Sequence, residues 1–391
     1  MLDGSPNMLR KLRAWILQSS RVGKFLLFRK NVFGDQHEKR ALLSYIVEPF
    51  VKGATNIHQN RQQVLLLAYE LDRLGFSVDV VDFRANFMPD ISDYDLIIGF
   101  GRPFERSFQF RSRAKRIYYA TGPHFSQRNM AEAIRGARIY RRTGYCTPPR
   151  RLKEYPEYLS VTCADAIMCT GDDWVHSTFR PFTDRPIYPV SITAPGAFVG
   201  HRAITANAPR HLLWIGGEGC LLKGLDLCLE ALADSRLKDV ELHICGPIAP
   251  EFRELMRDFM ERPGNHFHGH VDVYGDDFRG IVERCMFVIC PASSEAGCGA
   301  VLAAMKSGLV PITTTEATIA DDSGRLPIEG ATVEAVRSAL LKAQAVSDTE
   351  LGVRSLRAIE YVAERHTRED YIKSVSRALQ MATAAGIGAT S

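Results

Sequence analysis

The sequence predicts an α/β protein built as two doubly wound, parallel-sheet domains facing each other across a cleft. Three observations lead there. Short, continuous apolar runs alternate with stretches of helical apolar spacing, the pattern of strands covered on both faces by crossover helices. That alternation starts twice, once at residue 41 and again after the break Ala194-Pro195-Gly196. A chain of 391 residues also exceeds what one hydrophobic core sustains, so division into two domains of about 150–190 residues is natural.

Residues 1–40 read as a basic N-terminal extension. Arg10, Lys11, Arg13, Arg21, Lys24, Arg29 and Lys30 fall within 10–30 with no acid among them. Leu9, Leu12, Ile16 and Leu17 interleave with these charges, as does the run Phe25, Leu26, Leu27 and Phe28. Such a segment suits either an interfacial helix on anionic lipid or an extension packed on the protein.

The first domain, residues 41–200, opens with a strand over 41–47, a turn at Gly53 and a long helix with Val64, Ala68 and Leu71 on one face. Further strands are expected at 78–81, 96–98, 117–120 and 166–169. Residues 102–160 fit less tidily and read as a long, mobile, arginine-rich excursion from the sheet. The second domain, 201–366, starts with a strand over 212–215, followed by Leu225, Cys228, Leu229 and Leu232 at helical spacing. Val240, Leu242 and Ile244 alternate as a strand. Pro250 opens a helix with Phe252, Leu255, Met256 and Phe259 inward, and Phe278, Ile281, Val282 and Cys285 mark another. A buried strand over 286–290 leads through a Gly-rich turn to a helix around 301–306 and a strand over 309–313. Residues 367–391 form a helix and tail. Thr367 and Asp370 cap that helix, and Tyr371, Val375, Ala378 and Leu379 share one face, which either stays with the second domain or crosses back to the first.

Composition narrows the function. Apolar residues make up 46% and charged residues 24%, and no segment approaches the roughly 20 apolar residues that span a bilayer. Nine cysteines are scattered, several in apolar runs, where a thiol behaves as a small hydrophobe. This points to a reducing cytoplasm. No zinc-type cysteine spacing occurs, and no signal peptide with a cleavage site precedes the first strand. Arginines crowd 102–151 (Arg102, Arg106, Arg111, Arg113, Arg116, Arg128, Arg135, Arg138, Arg141, Arg142, Arg150 and Arg151). They form either a surface for an anionic acceptor or a solvated basic face. Aromatic residues do not interleave with them, so nucleic acid is not the expected partner.

Two turns carry the chemistry. Residues 291–299, PASSEAGCG, follow a buried strand and open a helix. Ligands of doubly wound sheets sit beyond the carboxyl ends of strands, and the amides of Gly297, Cys298 and Gly299 at a helix N-terminus favour phosphate. Glu295 either offers acceptor oxygens to sugar hydroxyls or caps the helix. Residues 216–224, GGEGCLLKG, form the second strand–turn–helix, with Gly217 and Gly219 in the turn. Lys223 there is either a point charge for a diphosphate or a solvated lysine. Asp93-Tyr-Asp95, the only D-x-D triplet, precedes an apolar strand and reads as a turn rather than a metal site.

In this order of motifs the chain resembles the glycosyltransferase group 1 family, retaining enzymes of the GT-B fold, over roughly 41–385 and most clearly over 211–314. The segments LWIGG at 213–217, KGLD at 223–226, ICGP at 244–247, GHV at 269–271 and 291–311 match its successive blocks. The resemblance implies a UDP- or GDP-sugar donor, with Lys223 on its diphosphate, Glu295 on the sugar hydroxyls, and the amides of Gly297, Cys298, Gly299 and Ala300 on phosphate or sugar. It also implies Val271 beside the base, Gly53 in a loop approaching the donor phosphates, and His124 on the sugar unless that histidine is structural. Two positions depart from the pattern. Ala303 stands where a second glutamate is usual, and Glu218 where an arginine precedes the lysine.

The implied reaction is sugar transfer with retention and without a metal or other cofactor. Lys223 and helix-end amides would neutralise the leaving diphosphate. A glycan or lipid-linked glycan at the inner membrane face is the expected acceptor. A sugar-binding scaffold without turnover and a nucleotide-sugar epimerase are the alternatives.

Overall fold

The computed structural model describes residues 26–53, 59–153, 155, 157–200 and 209–384. Two sheets organise it. The first has seven strands: β1 (Phe28–Arg29), β2 (Lys39–Tyr45), β3 (Phe76–Asp82), β4 (Leu96–Gly99), β5 (Lys115–Ala120), β6 (Ala166–Thr170) and β7 (Ile187–Val190), in the order β1-β3-β2-β4-β5-β6-β7. Only β1 is antiparallel. The second is fully parallel and contains β8 (His211–Ile215), β9 (Leu242–Cys245), β10 (Asn265–Gly269), β11 (Cys285–Cys290), β12 (Val310–Thr313) and β13 (Leu326–Pro327), in the order β10-β9-β8-β11-β12-β13. The expected pair of doubly wound sheets is what the chain forms.

In each sheet the chain winds one way from its first parallel strand and then the other. The resulting switch points lie between β2 and β4 and between β8 and β11. Crevices that take ligands open at such points, where neighbouring loops diverge to opposite faces. The turn 216–224 follows β8, and the turn 291–298 follows β11.

Three strands escape the apolar pattern for physical reasons. β10 is an edge strand reading Asn-His-Phe-His-Gly. β7 carries Pro189, which an edge strand tolerates because its missing N–H leaves no bond broken. β13 is two residues long. Phe28–Arg29, assigned to the basic extension, pair with β3 instead. Leu27 and Phe28 pack on the first-domain core, so these two side chains are used by the fold rather than offered to lipid. The remainder of the expected interfacial segment, residues 1–25, lies outside the described residues.

The region 102–160 is not a loose excursion. It holds the 19-residue helix Phe125–Thr143, capped at one end by His124 and ended by Gly144 in the left-handed region at φ 71°. This helix leaves the first sheet after β5, yet Ile139 is fully buried in the core of the second. In the opposite direction, the helix Arg368–Ala384 follows the second sheet and buries Tyr371, Val375, Ala378, Leu379 and Ala382 in the core of the first. Tyr371 donates to the Gln63 carbonyl at 3.1 Å. At its start Thr367 Oγ1 donates to Asp370 at 2.6 Å and accepts from the Asp370 amide at 3.1 Å.

Candidate functional site

The site grows from the two turns at the second switch point. The backbone joins them: the Ser293 amide donates to the Leu222 carbonyl at 2.9 Å. Trp214, buried in β8, donates its indole N–H to the Lys223 carbonyl at 3.1 Å. The stem of Lys223 crosses Gly216, where a Cβ would lie 2.8 Å from the lysine Cδ. Its ammonium then meets Glu295 Oε1 at 2.6 Å, with both side chains only 12–13% exposed. Glu295 is positioned by its own amide, which donates to the Glu316 carbonyl at 3.0 Å.

Burial opposes both charges, and each survives because of the other. For Lys223 burial is the largest single effect and lowers its pKa, but Glu295 together with Cys298 and Cys290 outweighs it, leaving the pKa above the ordinary 10.5. Burial likewise pushes Glu295 up, but Lys223 first and Arg151 second pull its pKa below 4.5. Both are therefore ionised at neutral pH.

Arg151 comes from the first half of the chain. Its guanidinium lies 3.8 Å from Glu295 Oε1, and its stem passes over Gly219 so closely that a Cβ there would collide with it. Gly219 also has φ 97°, which disfavours any other residue. Arg128, in the long helix, contributes a further positive charge felt by Glu295. Glu218, in contrast, is exposed and lines a cavity of about 200 Å³ with Arg150, Cys220, Pro247 and Phe252. Positive charge near Glu295 thus comes from Arg151 and Arg128 of the first half of the chain, while Glu218 points away from it.

The helix Gly299–Lys306 begins beside this pair with no side-chain cap. Of the amides expected to be free, that of Gly297 is not, since it donates to Thr318 Oγ1. Thr318 achieves this from a left-handed backbone at φ 57°. The first helical bond runs from the Leu302 amide to the Cys298 carbonyl, so the amides of Gly299 and Ala300 precede the ladder. Gly299 faces Gln59 of the first domain, whose Oε1 would clash with any Cβ. Cys298 Sγ lies 3.7 Å from Cys290 Sγ, both buried.

The other expected residues are more dispersed. Gly53 ends a short helix with φ 81°, and residues 54–58 after it lie outside the described residues. Gly217 is exposed in its turn. Val271 is half-buried against the core beneath the second sheet. His124 caps the long helix, its Nδ1 accepting from the Ser126 amide at 3.3 Å, while its ring stacks on Phe182 at 4.0 Å between centroids. Burial, helped by Lys153, lowers its pKa to about 4, so it is neutral.

Of the twelve arginines expected to form either an acceptor surface or a solvated basic face, Arg135, Arg138, Arg142, Arg150 and Arg151 instead engage the second half of the chain. Arg135 and Asp226, 3% and 0% exposed, pair through one guanidinium nitrogen, Nη2 donating to both carboxylate oxygens at 2.5 and 2.6 Å. Arg138 reaches Asp226 at 2.8 Å and Glu230 at 2.5 Å. Arg150 pairs with Glu251 at 2.9 Å. Gln127 donates from Nε2 to the Ser293 carbonyl at 3.2 Å and accepts at Oε1 from the Ser294 hydroxyl at 2.6 Å. Sequence reasoning missed Arg128, Arg151 and Gln127 as site neighbours, because a charge run carries no record of what it faces.

Residues 209–345 match the family model described as Glycosyl transferases group 1. No curated protein matches the chain. Among solved structures, sucrose-phosphate synthase from Thermosynechococcus elongatus superposes with a TM-score of 0.64 at 13% identity, covering 89% of this chain and 100% of the other. WaaG, a glycosyltransferase involved in lipopolysaccharide biosynthesis, gives 0.55 at 15% identity, covering 89% and 100%. Anabaena HepE in complex with UDP-glucose gives 0.54 at 10% identity, covering 88% and 100%. At such identities the likeness speaks for the fold, and the family match speaks for residues 209–345. Residues 209–345 thus carry the likeness to the group 1 glycosyltransferases, and the chain shares the two-sheet GT-B fold of these structures.

Proposed function

We propose that this chain transfers a sugar, with retention of anomeric configuration, from a nucleotide-diphosphate donor to a glycan or lipid-linked glycan. One observation carries the reading: a buried lysine and a buried glutamate meet at 2.6 Å at the switch point of the second sheet, beside an uncapped helix start. Lys223 neutralises the leaving diphosphate as positive character builds at the anomeric carbon, helped by Arg151 and the amides of Gly299 and Ala300. Glu295 exchanges part of its ion pair for sugar hydroxyls. These fixed charges suit a reaction that needs no metal. The UDP-glucose held by HepE supports a UDP- or GDP-sugar donor, and the lipopolysaccharide role of WaaG supports a lipid-linked acceptor.

Gly53, Gly217, Gly219 and Val271 complete the donor site in this reading, and His124 shapes the sugar end. The acceptor, which is anionic, is met by arginines not engaged between the halves. The protein works in the cytoplasm at an anionic membrane face, contacted through its basic N-terminal residues. Among the described residues no helix is long and apolar enough to cross a membrane.

Incubation with a panel of nucleotide sugars and lipid-linked acceptors tests the proposal, reading nucleoside diphosphate release and label on the acceptor. Lys223→Ala and Glu295→Ala should each lower transfer by about 10²–10³-fold with an unchanged circular dichroism spectrum. Unchanged turnover in both variants removes the site assignment. An epimerised sugar without acceptor labelling removes the transferase reading, as does binding without any turnover.

A further inference from the structure

At the other end of the second sheet, histidines gather on one face where the sequence showed no cysteine cluster. His243 of β9 stands in register with His266 of β10. Glu241 lies two residues before His243, on the same side by the period-two alternation of strands, and His268, at a register shift in β10, lies beside His243 with its ring parallel. Glu241 Oε2 lies 3.1 Å from His266 Nε2 and 3.7 Å from His243 Nε2. All three atoms fall within 4.8 Å of one another.

The decisive group is His243. It is 2% exposed, and its Nε2 is buried without a hydrogen-bond partner among the described residues. Leaving a buried polar nitrogen unsatisfied is costly unless something else binds there. Its other nitrogen, Nδ1, lies 3.0 Å from His268 Nε2. If Nδ1 donates to His268, the lone pair on His243 Nε2 faces Glu241 and His266. This is the outer-shell arrangement that orients a metal-binding imidazole. His211 is different. Its Nδ1 accepts from the Glu241 amide at 3.1 Å, so its Nε2 carries the proton and has no lone pair to give.

We infer that Glu241, His243 and His266 form a binding site for a divalent transition-metal ion, best matched by Zn²⁺, which ties edge strand β10 to β9. Zn²⁺ accepts two imidazoles and a carboxylate at about 2.0–2.2 Å with a fourth place for water. Tetrahedral ligands at those lengths lie about 3.3–3.5 Å apart, close to the spacings found. On binding, the metal takes the place of the proton between His266 and Glu241, and His266 moves its proton to Nδ1. The half-exposed ring of His266 and carboxylate of Glu241, 40% and 41% exposed, give the ion a path in from solvent.

Full-length protein stripped with a chelator and dialysed would be titrated with Co²⁺, following its visible absorption, and then competed with Zn²⁺. One equivalent with a tetrahedral Co²⁺ spectrum, displaced by Zn²⁺, is expected, together with a rise in Tm on adding Zn²⁺. His266→Gln and Glu241→Gln, both at half-exposed positions, should each weaken binding at least tenfold and abolish the Tm rise. His37→Gln serves as a control, because His37 belongs to a separate cluster with Asp35 and Asp72, and it should change nothing. Absence of Co²⁺ binding in the parent protein overturns the site, and so does undiminished binding in both variants. Loss of binding in the His37 variant alone would also overturn it.

Discussion

Ala303 shows how a single residue records the history of its surroundings. A carboxylate is usual here in the family pattern, but Ala303 is 1% exposed and lies beneath the segment that links the two sheets. A Cβ on Gly196 would lie 3.5 Å from the Ala303 Cβ. Lys306 Nζ donates to the Gly196 carbonyl at 2.9 Å, and the Gly200 amide donates to the Lys306 carbonyl at 3.1 Å. The linker is thus fastened over this helix. Ala303→Glu should therefore lower stability by about 1–3 kcal/mol through overpacking, with no gain in nucleotide-sugar affinity. Thermal unfolding and donor titration together check this, and tighter donor binding at unchanged Tm would refute it. The identities of Lys223 and Glu295 were readable because each follows a buried strand in a Gly-rich turn. Their direct 2.6 Å ion pair was not, since the 71 residues between them must fold before they meet.

The helix Phe125–Thr143 is the element on which the sequence reading erred most. Its apolar stripe is thin because arginines, not leucines, make its longest contacts. Arg135 is buried against Asp226, which opens the helix Leu225–Ala231 just after Lys223. The turn 216–224 is thereby braced from the opposite half of the chain. Removing one partner of a buried pair leaves the other charge uncompensated, so Asp226→Ala should destabilise by about 3–5 kcal/mol. Chemical denaturation measures it. The double variant Arg135→Met with Asp226→Leu should recover most of that loss, because it removes both fully buried charges while Arg138 keeps Glu230. A loss under 1 kcal/mol in Asp226→Ala would show that the pair does not hold the halves together.

At the scale of the whole molecule, two histidines make the assembly sensitive to acid. His124 caps the long helix, and His366 lies where the last helix turns back toward the first sheet. The nitrogen Nδ1 of His366 is 3.0 Å from the Ile192 carbonyl. Burial is the leading cause that lowers each from 6.5 to about 4. Above pH 6.5 both are neutral in folded and unfolded chains alike. As pH falls from 6.5 toward 4 the unfolded chain takes up protons that the folded chain refuses, and stability is lost across that window. Denaturation midpoints should drop between pH 7 and 4.5, and less steeply in His366→Gln; an unchanged slope would exclude His366 as a cause. By itself the sequence determined the two doubly wound sheets and the two Gly-rich turns that follow β8 and β11. Those follow from apolar periodicity and Gly-rich strand ends, which are local properties. Only the tertiary structure decided that Arg151 comes within 3.8 Å of Glu295, that Arg135 bridges the halves and that Glu241, His243 and His266 converge. Each of these joins residues far apart in the chain, and a charge or an imidazole does not reveal its partner until packing brings it within reach.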